Sequence, residues 1–364
     1  MSAMADLFAP LALAHGPGMK NRFMLAPLTN LQSHADGRLS DDEFRWLTLR
    51  AQGGFGLTMT CASHVQAQGQ GFPGQLGVFA DGHVEGLTRL AAAIKAAGSV
   101  AMMQLHHAGM RSPAKLIGGT PVCPSDNAET GARALTFAEV EQLAEDFVAA
   151  AVRAERAGFD GVEIHGAHGY VISQFLSPEI NQRTDRYGGS PENRARLLFD
   201  IVAGVRARCR PDFVLAVRLS PERFGLRLAE IRAVAQQLLA GCAIDLLDLS
   251  LWDFAKEPEE AEYKGRSLLS YFTGLERGPV RLGAAGKIMG AADACRVLAA
   301  GADFCVIGRA AILHHDFPLR VQADPGFKAV SLPVTADYLR NEGLGPAFVG
   351  YMGTWKGFVQ AEPA

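Results

Sequence analysis

Short apolar runs alternate along the chain with longer segments in which apolar residues recur at helical spacing. Short runs bounded by turn residues are typical of buried strands, and the longer periodic segments are typical of amphipathic helices. Strands are predicted at residues 22–27, 56–61, 100–105, 161–164, 213–219, 244–249, 280–284 and 304–307. Helices are predicted at residues 40–52, 83–97, 137–157, 191–209, 228–240 and 291–300, with another inside 265–277.

The regular alternation of strand and helix predicts an α/β fold with a parallel sheet, because each crossover is long enough to be helical. Eight such units closed on themselves make a (β/α)8 TIM barrel, a fold of about 250 residues that insertions often enlarge. A doubly wound open sheet is the alternative, but no Gly-x-Gly-x-x-Gly follows a predicted strand. We expect one domain over residues 1–364, with an irregular insertion at 109–133 and a tail at 336–364.

Three polar side chains leave the end of the fourth predicted strand within six residues: His165, His168 and Tyr170. Active sites of (β/α)8 barrels lie at the carboxyl ends of the strands. Two imidazoles and a phenol at such a place can bind and protonate an oxyanion or a carbanion. We therefore expect them to form the centre of a catalytic pocket.

Other polar groups follow other strands and should converge on the same rim. Thr29, Gln104 and Arg218 end or follow the first, third and fifth strands. Gly286-Lys287 and Gly308-Arg309 follow the last two strands, where this fold often binds a phosphate through backbone N–H groups. Gly-Arg alone is a weak motif, but its position here favours an anion site.

Each of these residues also has a purely structural interpretation. A histidine at a strand end is more often a hydrogen-bonded structural group, and His-x-x-His is also a spacing for metal ligands. In that interpretation, Tyr170 would be a half-buried residue that packs against its neighbours, and Arg218 would form an ion pair at the barrel end. Their convergence on one rim favours the catalytic interpretation.

Composition narrows the class of protein. The 364 residues are 48% hydrophobic and 20% charged, with a net charge of −3, which predicts neither nucleic-acid nor membrane binding. No apolar run is long enough to span a bilayer, and no signal peptide is evident. The six cysteines are dispersed without a Cys-x-x-Cys pair, which argues against a zinc or iron–sulfur site and favours a cytoplasmic protein.

The sequence EIHGAHGYVISQFLSP at 163–178, followed by NQRTDRYGGSPENR, resembles the Old Yellow Enzyme family of FMN-dependent ene-reductases. Further similar segments extend along nearly the whole chain: APLT at 26–29, MQLHHAGM at 103–110, VRLS at 217–220 and GADFCVIGRA at 301–310. The resemblance implies a (β/α)8 barrel that binds FMN. NADPH or NADH would reduce this FMN.

The same resemblance implies a role for each matching residue at the flavin. Pro27, Thr29 and Ala62 would lie against the ring, with Thr29 near its carbonyl and N5 edge. Gln104 would hydrogen-bond the pyrimidine side, and Arg218 would lie near N1 and the second carbonyl. The phosphate would be held by Gly286, Lys287, Gly308 and Arg309.

For the substrate, the resemblance implies that His165 and His168 bind the carbonyl oxygen of an α,β-unsaturated compound. Hydride would pass from the flavin to the β-carbon, and Tyr170 would protonate the α-carbon, because a phenol is protonated at neutral pH. Two alternatives stay open: a flavin-free, phosphate-binding lyase or isomerase, and a flavin-binding barrel without ene-reductase turnover.

Four features differ from the family pattern or lie outside it. Thr29 occupies a position where some relatives carry a redox-tuning cysteine, and His106 stands where others carry Trp or Ala, which predicts a different pocket wall. The sequence carries no Cys-rich iron–sulfur segment. The tail segment YMGTWKGF at 351–358 either reaches an active site, in its own or a neighbouring subunit of a homo-oligomer, or packs on the surface.

Overall fold

The computed structural model describes residues 3–241 and 243–360. Two parts of the sequence-based predictions lie outside these residues: Cys242 and the last four positions of the predicted tail, 361–364. No described helix is long and apolar enough to cross a membrane.

The described strands are β1 (Phe23–Leu25), β2 (Leu57–His64), β3 (Val100–His106), β4 (Val122–Cys123), β5 (Arg133–Ala134), β6 (Gly161–Gly166), β7 (Val214–Leu219), β8 (Leu246–Ser250), β9 (Arg281–Ala285) and β10 (Phe304–Ile307). Eight of them are parallel and close into a barrel in the order β1–β10–β9–β8–β7–β6–β3–β2, which confirms the predicted (β/α)8 fold. The other two, β4 and β5, pair with each other in the loop after β3.

Helices follow the barrel strands and surround them. The described α-helices are α1 (Ala3–Leu7), α2 (Asp41–Gln52), α3 (Val84–Ala96), α4 (Ala114–Ile117), α5 (Phe137–Arg156), α6 (Val171–Leu176), α7 (Pro191–Arg208), α8 (Leu228–Ala240), α9 (Ser270–Thr273), α10 (Ala291–Ala299), α11 (Arg309–Leu313), α12 (Phe317–Ala323), α13 (Ala336–Asn341) and α14 (Pro346–Gly353).

Local sequence explains where the long helices begin. The hydroxyl of Ser40 accepts a hydrogen bond from the N–H of Glu43 at the start of α2. Thr136 and Glu139 form a reciprocal capping box at the start of α5. Such caps satisfy backbone N–H groups that have no partner inside the helix, so they fix the first residue.

The lower part of the barrel interior is filled by side chains. Met24, Met59 and Met102 project from β1, β2 and β3 into a buried cluster. Leu11 and Met19 join it from the N-terminal segment, where their backbones pair at 2.9 Å. These side chains fill the end of the barrel where the strands begin, and the cavity opens at the other end, where the strands finish.

The main departures from the predicted elements are short helices. The expected sixth barrel helix is only the four-residue α9, and the irregular insertion after β3 contains α4 and the β4–β5 pair. The sequence also did not predict α6, α11 or the tail helices. Helices of four to eight residues show too little periodicity to be distinguished from loops.

The tail packs against the outside of the barrel through α14. The ring of Phe348 lies edge-on to that of Trp46 in α2, with centroids 4.8 Å apart. Just before α14, the N–H of Gly345 donates to Oε1 of Gln32 over 2.7 Å. These contacts fix the position of α14 beside the loop that follows β1.

Candidate active site

A cavity of about 470 Å³ opens at the carboxyl ends of the barrel strands. This volume lies in the range of about 300–1,000 Å³ that is usual for small-molecule and cofactor sites. All residues that the sequence predicted for the cofactor and substrate line it: Pro27, Thr29, Ala62, Gln104, His165, His168, Tyr170, Arg218, Gly286, Lys287, Gly308 and Arg309.

The turn after β6 places the two histidines side by side. His165 is within β6 and buried, with 4% of its surface exposed. His168 has a left-handed backbone, with φ at +61°, and its N–H donates to Oγ of Ser220 over 3.0 Å. The turn brings Nδ1 of His168 to 3.2 Å from Nε2 of His165, so the rings are hydrogen-bonded to each other.

The hydrogen-bond chain continues from His168 to β8. Nε2 of His168 lies 2.6 Å from Oγ of Ser250, whereas the buried Nδ1 of His165 has no hydrogen-bond partner among the described residues. Burial lowers the pKa of His168 to about 3, and burial and the neighbouring imidazoles hold the pKa of His165 well below its usual range. Both imidazoles are therefore neutral near pH 7.

Tyr170 lies on the far side of this turn, immediately before α6. Its ring is edge-on to that of His106, with centroids 4.4 Å apart, and the guanidinium carbon of Arg111 lies 4.9 Å from its centroid. Burial raises the pKa of the phenol, although the positive charge of Arg111 acts in the opposite direction. The hydroxyl is therefore protonated at neutral pH.

His106 lies behind Tyr170 and does not line the cavity, unlike the pocket-wall position expected from the sequence. The amide of Gln75 is oriented by the backbone, since its Oε1 accepts from Gly71 N–H over 2.6 Å and its Nε2 donates to Ala62 O over 2.7 Å. Nε2 also lies 3.0 Å from Nδ1 of His106, which must then accept. Neutral His106 consequently carries its proton on Nε2.

Two lining residues of the cavity floor, Gln104 and Arg218, are each paired with a buried carboxylate that is not part of the lining. Gln104 donates to Oε1 of Glu163 over 2.7 Å. Nε of Arg218 lies 3.0 Å from Oδ2 of Asp248, but the two are not aligned for a hydrogen bond. Burial, reinforced by Asp248, raises the pKa of Glu163 to about 8. Arg218 thus has the predicted ion pair and also faces the cavity.

The loops after β9 and β10 form the opposite end of the cavity. Gly286 has φ at +151°, and a Cβ there would lie 2.7 Å from the backbone nitrogen of Asp253. The next residue, Lys287, has Nζ 3.0 Å from Oδ2 of Asp253. Gly308 precedes α11, and Arg309 has no ion-pair partner among the described carboxylates.

A buried carboxylate fixes the loop after β1, which carries Thr29. Glu43 is fully buried in α2 and accepts hydrogen bonds from Nδ2 of Asn30, over 3.2 Å, and from the hydroxyl of Ser33. Burial raises the pKa of Glu43, while these hydrogen bonds oppose the shift. Thr29 is therefore placed on the rim by the residues that follow it.

The tail reaches the cavity of its own chain. Tyr351 and Met352 of α14 line the cavity together with Trp355, which is 36% exposed. The sequence left open whether the segment 351–358 reaches an active site or packs on the surface. In the structure, these three residues reach the candidate site of their own chain.

The metal-ligand interpretation of His165 and His168 is not supported by a third ligand. Among residues 3–241 and 243–360, three potential metal ligands meet only at His315, Asp316 and Glu342, in another part of the fold. Nδ1 of His315 already lies 2.6 Å from Oε2 of Glu342 there.

Several residues at the site were not singled out from the sequence. Arg111, Arg223 and Trp252 line the cavity mouth from loops, and no sequence motif marked them. Ser250 ends β8, so the rule that polar residues at strand ends face the site could have identified it.

Comparisons with known proteins place this geometry in context. A sequence model of the NADH:flavin oxidoreductase / NADH oxidase family matches residues 6–325. The chain is 36% identical over 327 residues to the probable NADH-dependent flavin oxidoreductase YqiG of Bacillus subtilis (strain 168), and the match covers 87% of each chain. It is 34% identical to the NADH:fumarate oxidoreductase of Klebsiella pneumoniae (strain 342), with 89% of this chain but only 36% of that protein covered.

Solved structures show the same architecture. An old yellow enzyme homologue from Zymomonas mobilis superposes with a TM-score of 0.79 at 28% identity, covering 95% of this chain and 99% of that chain. Morphinone reductase superposes with a TM-score of 0.76 at 27% identity, covering 91% of this chain and 92% of that chain.

Proposed function

Because the chain belongs to the NADH:flavin oxidoreductase / NADH oxidase family, we propose that it reduces the activated C=C bond of α,β-unsaturated carbonyl compounds. The family makes the chain an NAD(P)H-dependent oxidoreductase with FMN as its cofactor. The observation that carries the proposal is the meeting of two neutral imidazoles and a protonated phenol, His165, His168 and Tyr170, in one cavity.

The donor set of the cavity fits FMN. Gln104 and Arg218 present buried polar groups on its floor, and Nε of Arg218 has no hydrogen-bond partner within residues 3–241 and 243–360. In our proposal, Gln104 and Arg218 contact the heterocycle, while Pro27, Thr29 and Ala62 pack against it. The positive charge of Arg218 would stabilise negative charge at that edge of the ring, although Asp248 offsets part of it.

The opposite end of the cavity fits the phosphate. Gly308 has no side chain, and a Cβ there would approach nothing closer than Leu28 Cδ2 at 3.7 Å, so the open backbone faces the cavity. Arg309 is available for a charge-assisted bidentate contact. Lys287 can contribute a second cation, but the phosphate must then compete with Asp253 for it.

FMN, when bound, supplies the hydride for the β-carbon of the substrate. The roles that we propose for this chain are to hold the carbonyl oxygen with His165 and His168 and to deliver a proton from Tyr170 to the α-carbon. Stabilising the negative charge that develops on that oxygen is the largest contribution to be expected from such donors. The flavin-free lyase or isomerase is set aside, because the family uses FMN.

The decisive experiment separates two half-reactions in the Tyr170→Phe variant. Reduction of the flavin by NADH or NADPH requires no proton from Tyr170, so its rate should stay within about threefold of wild type. Reoxidation by cyclohexenone should slow by about 10²- to 10⁴-fold, as is usual for a lost general acid. Stopped-flow absorbance of the flavin measures both rates.

Two results would argue against these roles. Equal slowing of both half-reactions would make Tyr170 structural, and wild-type reoxidation by the enone would assign the proton to another group. Reoxidation by a quinone serves as the control, since it needs no proton at a carbon. If wild-type NAD(P)H oxidation is not accelerated by any enone, the flavin-binding barrel without ene-reductase turnover is the better description.

A further inference from the structure

The charge of the cavity lining has one sign. Five lining residues are cationic, and none of the described lining residues is an Asp or a Glu: the cations are Arg111, Arg218, Arg223, Lys287 and Arg309. A cavity with cationic walls and no acidic group attracts anionic ligands. Arg218 and Lys287 are paired with Asp248 and Asp253, which lie outside the lining, so the charge that remains is that of Arg111, Arg223 and Arg309. The phosphate of FMN would meet Arg309 and leave the other two arginines.

The barrel topology separates the cations into two groups. Lys287 and Arg309 follow β9 and β10, and β9 lies opposite β3 in the closed ring. Arg111 follows β3, and Arg223 follows β7. Strands β3 and β7 are the two neighbours of β6, which carries His165. Arg111 and Arg223 therefore flank the proposed substrate end of the cavity, away from the phosphate end.

Arg111 lies directly beside the reacting groups. Its guanidinium donates to the carbonyl oxygen of His168, and its Cζ lies 4.9 Å from the ring centroid of Tyr170. No carboxylate in the described part of the chain forms an ion pair with it. Its positive charge is thus not neutralised by the protein and is felt at Tyr170, His165 and His168.

Arg223 lies on the neighbouring loop, close to the same turn. Its Cζ lies 4.8 Å from the ring centroid of Trp252, and its Nε is 3.7 Å from the half-exposed carboxylate of Glu259. This separation is too long for a hydrogen bond. The following residue, Phe224, packs closely on Gly169. A Cβ added at Gly169 would lie 2.8 Å from Cδ1 of Phe224. The loop that carries Arg223 therefore packs against the turn that precedes Tyr170, and both residues line the cavity.

We propose that the substrate carries an anionic group, a carboxylate or a phosphate, beyond its activated double bond, and that Arg111 and Arg223 bind this group. The inference rests on the proposed ene-reductase function and adds a substrate class to it. Arginine suits this role because its planar guanidinium makes two parallel, charge-assisted hydrogen bonds to such an anion. Both side chains are already positioned by Tyr170 and Trp252, which reduces the entropy lost on binding.

A matched pair of enones tests the proposal. Benzoylacrylate and its methyl ester share one activated double bond, and one carries an ionised carboxylate where the other carries a neutral ester. The ester activates the double bond more strongly, but this intrinsic difference cancels when the acid-to-ester ratio is compared between wild type and variant. The kcat/KM ratio of acid to ester, measured for reoxidation of the FMN-loaded enzyme, should fall on the order of tenfold in Arg111→Gln and in Arg223→Gln. Arg111→Lys should recover part of the ratio. The control Arg266→Gln, an exposed arginine over Tyr271 outside the cavity, should leave it unchanged.

Ligand binding provides a readout without turnover. Absorbance titrations of the oxidised enzyme give the Kd of methyl para-hydroxybenzoate and the Kd of para-hydroxybenzoate. The Kd of the ester divided by the Kd of the acid should fall in both variants, as the kcat/KM ratio does. The preference for the acids should also weaken as ionic strength rises, because both arginines are exposed to solvent.

The outcomes are distinct from those for the proposed function. Failure of wild type to reduce either enone would remove the ene-reductase proposal itself. Turnover of both enones with an unchanged acid-to-ester ratio in both variants would overturn only the anionic substrate. If the arginine variants slow only the reduction of the flavin by NADPH, and not its reduction by NADH, the anionic substrate is also overturned. The arginines would then bind the 2′-phosphate of the nucleotide.

Discussion

At the scale of single residues, proton placement in the histidine pair limits how a substrate can bind. If Ser250 donates to Nε2 of His168, then Nδ1 of His168 carries the proton and donates to His165. In the reverse arrangement, Nε2 of His165 donates to His168, which donates to Ser250. Each neutral ring has one N–H, so in both arrangements the donor of His168 is already engaged. A carbonyl oxygen must displace one of these hydrogen bonds to be held by both rings.

The first prediction concerns this pair. In the double variant His165→Ala/His168→Ala, the oxidised enzyme should bind para-hydroxybenzoate at least tenfold more weakly than wild type. The reason is that hydrogen bonds to a charged oxygen contribute about 1.5–3 kcal/mol each. FMN should stay bound, since neither histidine lies at the phosphate end. Absorbance titration measures the affinity.

Ser250→Ala is the matched companion, because it removes only the partner of His168 Nε2. We expect a smaller loss of phenol affinity than in the double variant. Wild-type affinity in the double variant would show that the phenol oxygen binds elsewhere in the cavity.

At the scale of elements, the turn between β6 and α6 depends on two consecutive left-handed residues. His168 and Gly169 have φ at +61° and +71°, and Tyr170 follows at once. Gly169 is also in close contact with the loop that carries Phe224. The position of the phenol is therefore set by backbone geometry that a Cβ at residue 169 would disturb.

The second prediction compares Gly169→Ala with Gly118→Ala. Both glycines are left-handed, with φ at +71° and +65°, but a Cβ at Gly118 meets nothing within 4 Å. Both variants should lose about 1–2 kcal/mol in the free energy of unfolding from backbone strain. Only Gly169→Ala should also slow reoxidation by an enone, because the clash with Phe224 moves Tyr170.

Urea denaturation and stopped-flow reoxidation of the two glycine variants measure these effects. Equal enone rates in the two variants would show that the turn adapts without moving the phenol.

At the scale of the whole molecule, buried ionisable groups couple stability to pH. Burial lowers the pKa of His64 to about 4 and the pKa values of His107 and His168 to about 3. The unfolded chain takes up these protons near pH 6.5, so the folded state binds fewer protons below that pH. The raised pKa values of Glu163, Glu43 and Asp248 act with the opposite sign. The pKa values of His106 and His165 are lowered as well, so the histidines outnumber these acids and set the sign.

The third prediction is that stability falls as pH decreases from about 6.5 to 4, and that His64→Gln makes the fall less steep. One buried neutral histidine contributes up to about 1.4 kcal/mol per pH unit to this slope. Urea denaturation of the FMN-loaded protein at a series of pH values measures the slope. Identical slopes in wild type and the variant would mean that His64 is protonated in the folded protein or remains neutral in the unfolded chain.

The barrel and the convergence of the polar residues on one rim follow from the sequence alone. Alternating short apolar runs and helical segments located all eight barrel strands, because buried parallel strands need continuous apolar residues. Since the carboxyl ends of parallel strands meet at one rim, polar residues placed there, such as Gln104, His165 and Arg218, had to come together.

Which groups complete the site depends instead on contacts between distant parts of the chain. Ser250 contacts His168 across 82 positions of the chain, and Gly345 reaches Gln32 across 313. Arg111 lies over Tyr170 because two separate loops meet there. Hydrophobic periodicity reports only whether a residue faces the core, so it carries no information about which distant polar side chains become neighbours. The orientation of the histidines and the approach of the tail follow from packing between elements that are remote in sequence.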